Sequence, residues 1–272
     1  MVVRSASRPI GMFDSGVGGL TVARAVIDLL PHEDLVYFGD TARLPYGPRD
    51  PSEIMKFGLE IMDALVMENV KLLVVACNSA ASVVLDEARA RYPVEVVSVI
   101  EPAVRAAVSA TRNRRIGLLG TEATVDSGAY ERAVSETRAN VMLRARACPR
   151  FVDFVERGET ASKELLEVAE DYLAPLREVG VDTVILGCTH YPLLAGVIQY
   201  VMGEEVVLIS SAEATANEVY ARLIDSGMLN PAMHPGSHRF IASSERGISG
   251  ELGTRFLGPE FTDVEHRPWD RA

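Results

Sequence analysis

Short continuous apolar runs alternate along this chain with longer stretches whose apolar positions recur at helical spacing. Ile10 to Phe13, Leu35 to Phe38, Lys71 to Ala76, Val94 to Ile100, Arg115 to Thr121, Thr183 to Gly187, Glu205 to Ile209 and His238 to Ala242 read as strands. Their Val/Ile/Leu content, with little alternation, is that of strands buried on both faces. Between them the spacing predicts helices from Leu20 to Leu30, from the cap Asp50 with Pro51 at the first helical position to about Asn69, from Ala80 to Arg91, and onward from Glu101-Pro102. Further helices run from about Ala161 to Val179, Pro192 to Met202 and Ala212 to Asp225. Met228 to Gly236 reads as an exposed connector, a short helix ends near Leu257, and the residues after Gly258 read as a loose tail. Such alternation implies right-handed crossovers and mainly parallel α/β architecture with helices on both sheet faces.

The pattern then starts over. Arg115-Ile-Gly-Leu-Leu-Gly-Thr121 echoes Ile10-Gly-Met-Phe-Asp-Ser15, and 66 positions separate Gly11 from Cys77 where 71 separate Gly117 from Cys188. Two similar α/β domains are therefore expected, with a site in the cleft between them, where small-molecule sites commonly lie.

Composition narrows the function. A chain of 272 residues that is 48% hydrophobic builds a sizeable core, and a net charge of −11 without a Lys/Arg block argues against nucleic acid as a partner. No apolar run approaches the ~20 residues that span a bilayer, and Met1 to Pro9 lacks the apolar segment of a secretory signal, so a cytoplasmic protein is expected. Three cysteines without a C-x-x-C spacing suit reduced thiols. The pair His234 and His238 encloses Pro and Gly, which prevent the helix such a metal pair needs, so no metal site is expected.

Two of the thiols carry the chemistry. Cys77 and Cys188 each follow a buried strand directly, at the carboxyl end where open α/β sheets bind ligands. Asp14-Ser15-Gly-Val-Gly-Gly19 also turns a strand into a helix, but its spacing matches no nucleotide loop and Asp14 would place a carboxylate against a phosphate. These glycines suit close backbone approach to a small ligand, with Asp14 and Ser15 facing it, while Asp14 also suits a helix cap. Tyr46, between Pro45 and Gly47, either reaches over the site to donate its hydroxyl or marks a surface turn. Cys148 lacks a matching partner and reads as structural, and Glu156 by itself reads as a solvated glutamate. A thiol needs a neighbour to shift its pKa or take its proton, and Asp14, Glu156 and His190 are available. One Cys-His-acid group would serve acyl transfer. A facing pair instead suits removal of a proton from one side of a carbon and delivery to the other, which is racemisation without a cofactor. A thiol hydrolase and a two-domain binding protein remain open at this point.

The stretches Gly11 to Gly19, Gly39 to Gly47, Ala76-Cys77-Asn78-Ser79-Ala, Gly120 to Thr124 and Leu186-Gly-Cys188-Thr189-His190-Tyr-Pro-Leu resemble those of glutamate racemases, from about Ile10 to Leu257. The resemblance implies two similar mainly parallel-sheet α/β domains related by pseudo-two-fold symmetry. The last segment returns to the first domain, so the domains are 1–101 plus 211–272 and 102–210. It implies conversion of L-glutamate to D-glutamate for peptidoglycan, with no cofactor and no metal. Carried over by motif, Cys77 and Cys188 are the acid/base thiols, Asp14 assists Cys77, and Glu156 and His190 assist Cys188. Substrate contacts fall to Asp14, Ser15, Tyr46, Gly47, Asn78, Ser79, Thr189 and His190. Partners are then glutamate, with neither nucleic acid nor membrane, and a homodimer is carried as an open expectation. Aspartate racemase is the nearest alternative. The chain departs from the family with Ser79 for the usual Thr, which keeps the hydroxyl, and in lacking a phenylalanine within Ile248 to Gly253.

Overall fold

The computed structural model describes residues 6–244, 250–258, 261 and 263–269. Part of the segment expected to hold the missing phenylalanine, 248–249, lies outside them. In chain order the first half runs β1 (Ile10–Asp14), α1 (Leu20–Leu29), β2 (Leu35–Gly39), α2 (Pro51–Met67), β3 (Leu72–Val75), α3 (Asn78–Arg91), β4 (Glu95–Ser98) and α4 (Ile100–Ala110). The second runs β5 (Arg115–Gly120), α5 (Glu122–Asp126), α6 (Ala129–Glu136), β6 (Met142–Ala147), α7 (Arg150–Glu156), α8 (Lys163–Val179), β7 (Thr183–Gly187), a 3₁₀ turn (Tyr191–Leu194), α9 (Ala195–Met202) and β8 (Val207–Ser210). Then follow α10 (Ser211–Asp225), β9 (His238–Ala242), α11 (Gly250–Leu257) and β10 (Val264–His266).

Among the described residues every strand pairing is parallel, in two sheets ordered β10-β9-β2-β1-β3-β4 and β6-β5-β7-β8. The order β2-β1-β3-β4 in the first is repeated by β6-β5-β7-β8 in the second, so the echo between Gly11 and Gly117 is a repeat of topology as well as of sequence. In both, the chain leaves the first-formed strand in one direction and returns on its other side. That reversal opens a crevice at the carboxyl ends of β1/β3 and of β5/β7. β1, β2, β3 and β7 are buried throughout, as continuous apolar runs require when helices cover both faces. Among the described residues no helix is long and apolar enough to cross a membrane.

Two expectations are corrected, and one strand that the pattern did not predict, β6, is added. The run Val94 to Ile100 does not stay extended: β4 ends at Ser98, whose Oγ accepts the Ile100 amide at 3.2 Å and opens α4. β6 carries Arg144 and Arg146 on an edge strand, where a face open to water dilutes the apolar signal. The residues after Gly258 are not a loose tail. β10 adds to β9 in parallel register, Val264 opposite Phe240, and Trp269 Nε1 donates to buried Asp40 at 2.8 Å. A three-residue edge strand has no period to read, and its hold comes from backbone pairing.

The opposite, amino-terminal ends of the first sheet's strands are closed by a buried ion pair. Lys71 Nζ is bonded to the Glu33 carboxylate and donates to Ala6 O at 2.5 Å and Met228 O at 2.9 Å, while Glu33 Oε1 accepts the Asn230 amide at 2.7 Å. Burial lowers the Lys71 pKa against the raising influence of Glu33.

Candidate active site

Both sheets present loops from their strands' carboxyl ends to one cavity of about 190 Å³. Ser15 and Gly16 arrive after β1, Tyr46 and Gly47 after β2, and Cys77, Asn78 and Ser79 after β3. The second sheet delivers Thr121 after β5, Glu156 at the end of α7, and Cys188, Thr189 and His190 after β7. A larger cavity of about 390 Å³ lies beside β4, but Arg89, Arg105 and Arg222 there are paired with Glu101, Glu218 and Glu95 and no thiol reaches it.

Cys77 is the N-cap of α3. Its Sγ accepts the Ala80 amide at 3.5 Å and lies 3.7 Å from Ser15 Oγ. A helix amino terminus favours a thiolate, yet burial and then the Asp14 carboxylate outweigh these donors and push the Cys77 thiol well above its ordinary range. It rests protonated. Cys188 stands differently, 3.8 Å from His190 Nδ1, and His190 Nε2 is 3.6 Å from Glu156 Oε1. Burial works against charge on His190, but the Cys188 sulfur and the Glu156 carboxylate prevail and raise its pKa to about 10. A protonated imidazole therefore stands beside the Cys188 sulfur.

The glycine loop fits the second half closely. Tyr37 Oη donates to Gly16 O at 2.8 Å and so props the loop from beneath. Thr21 Oγ1 donates to Gly18 O at 2.9 Å and to Thr189 O at 3.2 Å, tying α1 to the loop after β7. A Cβ on Gly18 would meet the His190 ring at 2.6 Å. His190 also packs edge-on against Phe256 of α11, ring centres 5.6 Å apart.

Of the residues singled out from sequence, Ser15, Tyr46, Gly47, Cys77, Asn78, Ser79, Glu156, Cys188, Thr189 and His190 all line the cavity. Asp14 does not. It is buried, its Oδ2 accepts the Gly19 amide at 2.8 Å in the manner of a cap, and it reaches the site through its charge on Cys77. Tyr46 lines the cavity but gives its hydroxyl proton to Asp40, so the expected free donor is committed to the protein. Cys148 is buried with its thiol pointed at Arg146 O, 3.6 Å away, outside the cavity lining.

Three residues were missed. Thr121 lines the cavity and shares a hydrogen bond of 2.8 Å with Ser79 Oγ, joining the two halves. It stands four positions after Gly117, as Ser15 does after Gly11, so the repeat itself carried that signal. Tyr130 Oη donates to Asn78 Oδ1 at 2.7 Å, which fixes the amide and leaves Asn78 Nδ2 without a protein partner among the described residues. Asp40 anchors Tyr46. The last two gave no local signal.

The model of the Asp/Glu/Hydantoin racemase family matches residues 20–219. The chain is 56% identical over 257 residues to the glutamate racemase of Acidothermus cellulolyticus, covering 94% of this chain and 97% of that one. The crystal structure of a glutamate racemase isoform from Bacillus anthracis superposes with a TM-score of 0.92 at 38% identity, covering 96% of this chain and 97% of the other. An aspartate racemase from Picrophilus torridus shares the fold alone, with a TM-score of 0.57 and 19% identity over 92% of this chain and 99% of that one. With curated glutamate racemases matched over nearly its whole length, the chain belongs to the Asp/Glu/hydantoin racemase family, in its glutamate racemase branch.

Proposed function

We propose that this chain interconverts L-glutamate and D-glutamate by passing the Cα proton between two thiols, and that the product supplies peptidoglycan synthesis in the cytoplasm. The observation that carries the reading is that Cys77 and Cys188, each released by the matching strand of a different sheet, line one cavity. In one direction the Cys188 thiolate takes the proton from Cα. The electron pair left behind delocalises into the adjacent carboxylate, and the Cys77 thiol gives its proton to the opposite face. The proton then sits on Cys188 and the thiolate on Cys77, which is the starting state for the other direction. The two thiols have unequal surroundings: His190, its pKa raised, stands beside Cys188, while burial and Asp14 push the Cys77 thiol up.

The substrate carboxylates are held by neutral donors in this reading. No arginine lines the cavity among the described residues, whereas Asn78 Nδ2 and the hydroxyls of Ser15, Ser79, Thr121 and Thr189 do. The test replaces each thiol in turn. Cys77→Ser and Cys188→Ser should each abolish racemisation in both directions, since every turnover needs one base and one acid. With a glutamate analogue bearing a β-leaving group, each variant should still eliminate from one enantiomer, and the two should prefer opposite ones. Wild-type enzyme in D₂O should place deuterium at Cα of the product. Full racemase activity in either variant, or inversion without solvent deuterium, would sink the mechanism.

A further inference from the structure

We propose that Trp269, near the carboxyl terminus, is a positioning residue for the active-site loop 40–47, because its indole closes a buried cluster on Asp40 that sets where Tyr46 and Gly47 stand on the cavity wall. Asp40, at the end of β2, is fully buried. Its Oδ1 accepts Ser243 Oγ and Trp269 Nε1, each at 2.8 Å, and its Oδ2 accepts Tyr46 Oη and Arg43 Nε, the latter at 2.6 Å. The Arg43 guanidinium is sandwiched, 4.1 Å from the Phe57 ring centre and 3.9 Å from that of Trp269. Trp269 lies in turn on Phe38 of β2, ring centres 5.3 Å apart.

A buried carboxylate is tolerated only when it is paired and hydrogen-bonded. Here the loop residues Arg43 and Tyr46 complete that set together with Ser243 and Trp269, so the loop and the chain terminus order one another. The consequence reaches the cavity through Gly47. Its carbonyl accepts the Ala123 amide at 3.0 Å, and a Cβ there would stand 3.3 Å from Thr121. The loop therefore bridges from the first sheet to the start of α5 in the second, and its far end is held by Asp40. Without the indole, Asp40 Oδ1 keeps only Ser243 among the described residues, and one face of Arg43 opens to water.

The proposal rests on the glutamate racemase reading, and its test separates the two. Trp269 is the only tryptophan in the chain, so its emission reports on the cluster directly. Titrating wild-type enzyme with D-glutamate should shift or quench that emission with a midpoint near KM. Trp269→Ala should raise KM for glutamate about tenfold with kcat within about threefold, by loss of one hydrogen bond to a charged group upstream of the site. Trp269→Phe keeps the stack on Phe38 and Arg43 but loses the N–H donor, and should fall between. If the alanine variant does not fold, the phenylalanine variant and the wild-type titration decide. Emission unmoved at saturating glutamate, wild-type KM in both variants, or a fall in kcat at constant KM that tracks the folded fraction would each overturn it. Because the titration reads binding without turnover, an enzyme that moves the emission yet does not racemise would sink the functional reading and leave this one standing.

Discussion

Gly18→Ala isolates the fit of the glycine loop against the Cys188 side of the site. Gly18 is not held at a positive φ, so alanine meets no backbone penalty and the effect is steric. The new Cβ would stand 2.6 Å from His190 Cε1 and Nδ1 and closer still to Thr189 Oγ1, whereas ordinary contact begins at 3.4 Å. Thr189 can turn its hydroxyl away. The His190 ring cannot turn easily, since it is buried, packed on Phe256, and lies within 4 Å of both Cys188 and Glu156. It must therefore retreat by about 0.8 Å. Overpacking of this kind costs about 1 to 3 kcal/mol of stability. A displacement near 1 Å at a reacting group lowers rate about a hundredfold. Stopped-time circular dichroism of glutamate in both directions gives kcat/KM, and urea unfolding gives the stability. Gly196→Ala in α9 is the control, because no atom of the described residues lies within 4 Å of its added Cβ. It should keep wild-type activity and gain about 0.5 to 1 kcal/mol from helix propensity. Activity within threefold of wild type in Gly18→Ala would refute the claim that this contact sets the His190 position.

The pH profile tests the charge on His190. Its folded pKa of about 10 lies above the ordinary 6.5, so the imidazolium contributes stability fully below about pH 6.5 and loses it as pH rises through about 10. The alkaline limb of kcat/KM should lie near that value, and Glu156→Gln should move it to lower pH by about 1; coincident profiles would remove Glu156 from this role. Lys71→Met strands the Glu33 carboxylate in the core and should cost about 3 to 5 kcal/mol in urea unfolding while leaving kcat/KM per folded molecule intact, since the pair sits at the opposite end of the sheet. A loss below about 1 kcal/mol would mean Glu33 finds water. Tyr130→Phe frees the Asn78 amide and should raise KM about tenfold with little change in kcat; an unchanged KM would show that Asn78 does not need this anchor.

Much of the molecule is local in origin and was legible in the chain. Runs such as Leu72 to Val75 and Val184 to Gly187 are apolar without interruption because both their faces are covered, and the one or two residues after such a run fall at the carboxyl end of the sheet, where Cys77 and Cys188 stand. The echo between Gly11 and Gly117 carried the repeated topology and, by the same offset, Ser15 and Thr121. What only tertiary structure decided are the pairings between residues far apart in the chain. Asp40 meets Trp269 across 229 positions and Asn78 meets Tyr130 across 52, and none of these residues differs locally from a surface aspartate or a core tyrosine. The hydroxyl of Tyr46 belongs to that carboxylate and not to the cavity, and Asp14 lies behind the wall it was expected to form. Periodicity records which face of an element is buried. It does not record which distant polar group will be buried beside it, because that depends on how the sheets, loops and terminus close over one another.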